Sequence, residues 1–183
     1  MRTHARLLTR LAAASWLVGL AMAASSCGDV SKGELARQVS TRASPGSFRA
    51  AGVSTVIERR CGSLDCHGSL ARNMRIYSSR GLRLPNEAGV RPGEGDTTID
   101  EITANYHSAM TIEPEATNAV VAGGDPNQLL LIKKPLGIEK HKGGTVFRRG
   151  DDTERCLVTW LTEDLITPVD SAACARAAVF PKE

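Results

Sequence analysis

The chain has 183 residues, 23 of them Lys or Arg and 20 Asp or Glu, for a formal net charge of +3. The opening MRTHARLLTR holds three of the arginines and no acid, so without residues 1–26 there are 20 basic side chains (23 less these three) against 20 acidic ones. No basic field is left that would serve nucleic-acid binding, and the length suits one small domain.

In chain order, the basic opening is followed by an uncharged apolar run of thirteen residues, LAAASWLVGLAMA at 11–23. That run is short for a membrane span, and a basic stretch before a short apolar one is the pattern of an export signal. The small residues of AMAASSC then lead into Cys27 and resemble a bacterial lipobox, with Ala24 where that pattern prefers Leu. The expectation is a diacylated Cys27 as residue one of the mature chain; cleavage after Ala23 at an A-x-A site is the alternative. Both place the protein in the cell envelope, lipid-anchored in the first case and facing the periplasm or the cell surface. The expected organisation is a signal peptide at 1–26, a polar tether at 27–47, one domain at 48–170 and a C-terminal tail at 171–183 tied back by a disulfide.

Within the domain, SFRAAGVSTVIERR places Phe48, Val53, Val56 and Ile57 on one helical stripe, interrupted by Gly52 and leading into Cys61. Residues 78–95, rich in Gly, Pro and Arg, predict a surface loop. Arg72, Arg75, Arg80 and Arg83 read mostly as solvated, with one or more available to bind the propionates of a cofactor. TTIDEITANYHSAM carries a capping-box pattern, Thr98 with Glu101, and the stripe Ile99, Ile102 and Tyr106. DPNQLLLIKKP has Asp125 as cap, Pro126 at the first helical position and Pro135 as the stop. GDDTERCLVTWLTEDL is the strongest helix, with Asp151 or Asp152 as N-cap and Leu157, Trp160, Leu161 and Leu165 at helical spacing. Strand signals are sparse, so the expected fold class is all-α, about four helices with long loops.

The chemistry lies in the cysteines, five in all. In an oxidising compartment Cys156 and Cys174 suit a disulfide, which would contribute about 3 kcal/mol in the chain-entropy account. Cys61 and Cys66 are followed at once by His67. Two thiols can add to the vinyl groups of a haem while the next histidine becomes the iron's proximal ligand. Four residues separate these thiols where two are common, and Gly62 and Ser63 give the chain room to bulge. A Cys61–Cys66 disulfide and a zinc site remain open readings; zinc would need a fourth ligand.

These residues, in the order rCgsldCHGs, RIYSSRGLR, QLLLIKKPLGIEKHKGG and CLVTWL, resemble the planctomycete-type cytochrome c domains and related small bacterial cytochrome-like lipoproteins. The resemblance spans residues 48–165 and matches Cys61, Cys66 and His67 to the attachment motif. It also matches Lys134, Pro135, His141, Gly143 and Gly144 to the late segment and Trp160 to the terminal helix. Lys142 departs from it, standing where glycine is usual. It implies a cytochrome c-like fold, one covalent haem c, and electron exchange with envelope redox proteins rather than enzymic turnover. On the position of the ligand loop, His141 is the expected sixth iron ligand ahead of Met110, Met74 and His107. The alternative is a haem-free, disulfide-stapled envelope module that binds or scaffolds.

Overall fold

The computed structural model describes residues 42–85, 90–164 and 166–179. Cys27, the residues read as a signal peptide and most of those read as a tether lie outside them. The described residues form seven short α-helices and one 3-10 turn with no strand, only a single bridge between Tyr77 and Leu82. The all-α expectation holds; the helices are shorter and more numerous than the pattern suggests.

Helix α1 (Pro45–Ala50) starts inside the stretch assigned to the tether, with the Ser44 hydroxyl accepting from Ser47 N and Pro45 in the first turn. Gly52, in the left-handed region at φ 83°, separates it from α2 (Val53–Cys61). The expected single helix is therefore two, because a left-handed residue cannot lie inside a right-handed helix. The stripe survives the break: Phe48, Val53, Val56 and Ile57 are all buried.

Helix α3 (Ile99–Met110) has the full capping box, Thr98 with Glu101. Glu101 does more than cap. Its buried carboxylate takes Arg83 Nε at 2.8 Å and Nη2 at 2.9 Å, and Leu84 N at 3.0 Å. Arg83 is thus not the solvated loop residue expected from its surroundings. Its guanidinium also donates to the carbonyls of Glu94 at 2.6 Å and Asp96 at 3.0 Å, which folds this arginine-rich segment onto α3. A charge taken out of water needs such pairing, since an unpaired buried one costs several kcal/mol.

Helix α4 (Pro114–Val121) has no counterpart in the sequence reading: Glu113 at its N-cap makes no capping bond, and only Pro114 marks its start. The run after Asp125 divides into a 3-10 turn (Pro126–Gln128) and α5 (Leu130–Lys133), because Leu129 is extended at ψ 141°. Helix α6 (Asp152–Leu161) is capped by Asp151, whose carboxylate accepts from Glu154 N. It buries Leu157, Trp160 and Leu161; Leu165 lies outside the described residues.

The tail adds α7 (Ser171–Ala177), capped by Asp170. Cys174 is bonded to Cys156 of α6. From α2, Arg59 donates to Ala178 O at 2.6 Å and Arg60 to Ala177 O at 3.0 Å, filling the unpaired carbonyls at the end of α7. Helices α2, α6 and α7 pack on one another, and α1 on α2 and α3. At their centre Phe48 meets Trp160 at 5.0 Å and Tyr106 at 5.7 Å between ring centroids. Each such burial contributes about 1.5–3 kcal/mol, and the resulting core fixes the end of α2, from which the site is built.

Candidate cofactor site

Cys61 is the last residue of α2, and Gly62 N continues the helical bonding to Glu58 O at 3.0 Å. The chain then coils on itself: Cys66 N and Gly68 N both donate to Ser63 O, and His67 N to Cys61 O, each at 2.9 Å. This coil takes up the two additional residues between the cysteines. Gly62 contributes not by unusual backbone angles, since its φ is −86°, but by having no side chain. A Cβ there would lie 2.5 Å from Glu58 O. Gly68 and Gly81 press on the Gly62 carbonyl in turn, where added Cβ atoms would come within 2.2 and 2.7 Å of its oxygen. Arg72 staples the coil from outside, with Nε to Cys66 O at 3.1 Å and Nη2 to Asp65 O at 3.2 Å.

His67 Nδ1 lies 2.9 Å from Met74 O. That carbonyl can only accept, so Nδ1 carries the proton and Nε2 keeps its lone pair for a ligand. Burial lowers the pKa of His67, with the charges of His141 and Arg72 acting in the same direction and the Met74 carbonyl opposing. The imidazole is thereby kept neutral, the form that binds a metal.

His141 has the same arrangement, with Nδ1 2.9 Å from Gly144 O. Its loop is closed by the Lys133–Glu139 ion pair at 2.9 Å and by Val146 N donating to Pro135 O at 2.8 Å. Lys142 does not disturb the turn, because the left-handed residue is Gly144 at φ 68°. Gly143 leaves the ring face uncovered: a Cβ there would sit 3.3 Å from Cε1 of His141.

The two imidazole rings lie with centroids 6.1 Å apart and planes 17° from parallel. Two imidazoles that bind one metal from opposite sides, each through a ring nitrogen at about 2 Å, have their centroids about 6 Å apart. Both histidines, with Cys61 and Cys66, line one cavity of about 490 Å³, within the range of about 300–1,000 Å³ usual for small-molecule sites. Met74, Leu131, Pro135 and Val146 supply apolar wall.

Cys61 and Cys66 are both free thiols. Burial, reinforced by Cys66 and opposed by Arg60, pushes the Cys61 thiol up to about 12, so it is neutral at physiological pH. No three His, Cys, Asp or Glu side chains converge on a metal-sized point among the described residues. A tetrahedral zinc site needs four donors at 2.0–2.3 Å from one centre, roughly. The donors here surround a space instead.

The structure therefore groups Cys61, Cys66, His67 and His141 around one cavity, which Met74 also lines, and keeps Met110 and His107 out of its lining. Met110 is buried in the core, His107 is an exposed residue of α3 edge-on to Tyr106, and Met74 contributes wall and a backbone carbonyl. Neither the Met74 carbonyl nor the Arg72 staple could be read from the sequence, because backbone acceptors carry no residue signature. Comparison with protein-family models, curated proteins and solved structures finds no match to the chain.

Proposed function

We propose that the protein is a lipid-anchored, envelope-facing monohaem c-type cytochrome that carries electrons. The observation that carries the reading is the pair of parallel imidazoles 6.1 Å apart in the same cavity as two free thiols. Cys61 and Cys66 would hold the haem through thioethers, and His67 and His141 would bind its iron. The haem supplies a one-electron couple at its iron. The chain supplies the rest: the Met74 and Gly144 carbonyls orient the two rings, Arg72 and the glycine-packed coil fix the spacing of the thiols, and Leu131, Pro135 and Val146 limit water.

An iron held by both histidines would leave no place for oxygen or peroxide, which favours electron transfer over catalysis. Two imidazoles without a methionine sulfur favour a lower potential than His/Met ligation. The packing of α2, which leads into the attachment peptide, against α6 near the end of the chain supports a cytochrome c-like arrangement.

The test is expression of the full chain in a host carrying the cytochrome c maturation machinery, followed by a denaturing gel stained for haem peroxidase. A stained band at the chain's own mass is expected. An unstained band with normal protein yield removes the proposal and leaves the haem-free stapled module in its place.

A further inference from the structure

A second cavity, of about 640 Å³, lies beside α2 and shares no lining residue with the one that holds His67 and His141. Arg49 of α1, side chains of α2 and the segments 78–80 and 96–97 line most of it. Its volume falls in the range of about 300–1,000 Å³ usual for small-molecule sites.

The inner part of this cavity carries an acid. Glu58 is half-buried, and its carboxylate accepts from the buried Ser54 hydroxyl at 2.6 Å and from Thr97 Oγ1 at 2.7 Å. Thr97 Oγ1 accepts in turn from Ser79 N at 3.1 Å, which ties the 78–80 segment to the same group. Burial raises the Glu58 carboxyl above its ordinary pKa; the Ser54 and Thr97 hydroxyls and Arg59 oppose, and Glu101 adds to the rise. None of the four ion pairs among the described residues includes Glu58. A carboxylate drawn partly out of water favours a cation beside it, and its oxygens keep lone pairs for further donors.

The outer part is cationic. Arg49 and Arg80 are exposed and line the cavity, and neither belongs to any of those four ion pairs. Arg59 lines it as well but spends Nη1 on Ala178 O. A guanidinium is a planar fork that matches a carboxylate. Asp96 adds a second exposed acid, so the lining carries both signs of charge. A ligand of negative charge alone would leave Glu58 uncompensated, and one of positive charge alone would meet the arginines. The only large apolar side chain in the lining is Ile102, and no aromatic ring is there for a nucleobase to stack on.

We infer that this cavity binds a small zwitterion of the polar α-amino-acid class, with its ammonium group on Glu58 and its carboxylate on Arg49 and Arg80. The binding is reversible and non-covalent, and it stands apart from the haem reading.

The experiment uses the full chain as produced with the cytochrome c maturation machinery. Thermal unfolding is recorded with each proteinogenic L-α-amino acid, and with sodium phosphate, succinate and glucose, at equal millimolar concentration. At least one amino acid with a polar side chain should raise the unfolding midpoint. In titration calorimetry, analogues of that amino acid lacking the ammonium or the carboxylate group should each bind about tenfold or more weakly. Glu58→Gln should weaken the amino acid to a similar degree, and so should the double variant Arg49→Gln, Arg80→Gln. The two arginines are exposed, so the double variant keeps the fold and decides the matter should Glu58→Gln not fold. No shift with any amino acid overturns the inference, as does a shift confined to apolar amino acids or to phosphate, succinate or glucose. Analogues that bind as tightly as the parent, or a double variant with undiminished affinity, overturn it as well. A colourless chain that binds the amino acid supports this inference while removing the haem reading.

Discussion

Gly68→Ala tests how the coil from Cys61 to Gly68 is held. The φ of Gly68 is not in the left-handed region, so alanine meets no backbone penalty there and the effect is one of space. The new Cβ would sit 2.2 Å from Gly62 O and 2.8 Å from Ser63 O, against the roughly 3.5 Å of ordinary contact. The coil must open by about 1 Å, which overpacking results place at about 1–3 kcal/mol. Opening also breaks the bond from Gly68 N to Ser63 O, worth about 1 kcal/mol. The sum, about 2–4 kcal/mol, disfavours the closed coil by about 30-fold or more. The cost falls on the coil rather than on the core, since Phe48, Trp160 and Tyr106 are untouched. The assay is covalent haem per chain after co-expression with the maturation machinery, with far-UV circular dichroism on the same sample. Haem incorporation should fall about tenfold or more with the helical signal kept. Gly46→Ala is the control. It lies in α1, its Cβ would meet only Ser44 Oγ at 3.6 Å, and helix propensity predicts a gain of about 0.5–1 kcal/mol. Full haem incorporation in Gly68→Ala would refute the packing account of the coil.

Glu101→Gln leaves the Arg83 guanidinium buried without its carboxylate and should cost about 3–5 kcal/mol in urea unfolding at neutral pH. The same pair sets an acid limb. Burial would raise the Glu101 carboxyl, but the bonds from Arg83, Thr98 N and Leu84 N prevail and hold it below the usual carboxylate range. As pH falls the unfolded chain therefore binds the proton first. The stability from this group is complete above the ordinary carboxylate pKa and is lost as pH drops through the lower folded value, so Glu101→Gln should flatten the acid side of a stability–pH curve. Reducing the Cys156–Cys174 disulfide, which spans 18 residues, should lower unfolding stability by about 3 kcal/mol, measured with and without reductant. His141→Ala in the haem-loaded protein should convert a low-spin spectrum to one with an exchangeable sixth position, and His141→Met should raise the midpoint potential, read by spectroelectrochemical titration.

What could be read from the sequence were features written in adjacent residues. The capping box of Thr98 and Glu101, the cap at Asp151 and the stripe through Phe48 and Ile57 are local patterns, and local hydrogen bonds enforce them. The Cys156–Cys174 pair was accessible by counting thiols. The features that escaped depend on distant partners. Arg83 looks solvated among Gly and Pro until Glu101, eighteen positions on, accepts it. Helix α4 has no capping side chain of its own and begins only at Pro114. Gly52 could have sat within a helix at modest cost, and its left-handed turn follows from folding α1 against α2 and α3. Of the four residues grouped around the cavity, Cys61, Cys66 and His67 stood out by their spacing and His141 by the position of its loop in the family the chain resembles. Their geometry did not, because it is set by the Met74 and Gly144 carbonyls and by three glycines packed together.

The most direct test is the mass of one peptide. Trypsin cleaves after Arg60 and Arg72, releasing residues 61–72, CGSLDCHGSLAR, with Cys61, Cys66 and His67 together. From protein made with the maturation machinery, this peptide should carry one haem bound through both sulfurs and should resist alkylation. A peptide two hydrogens lighter than its dithiol mass, or one that takes an alkyl group on each cysteine, would contradict the account.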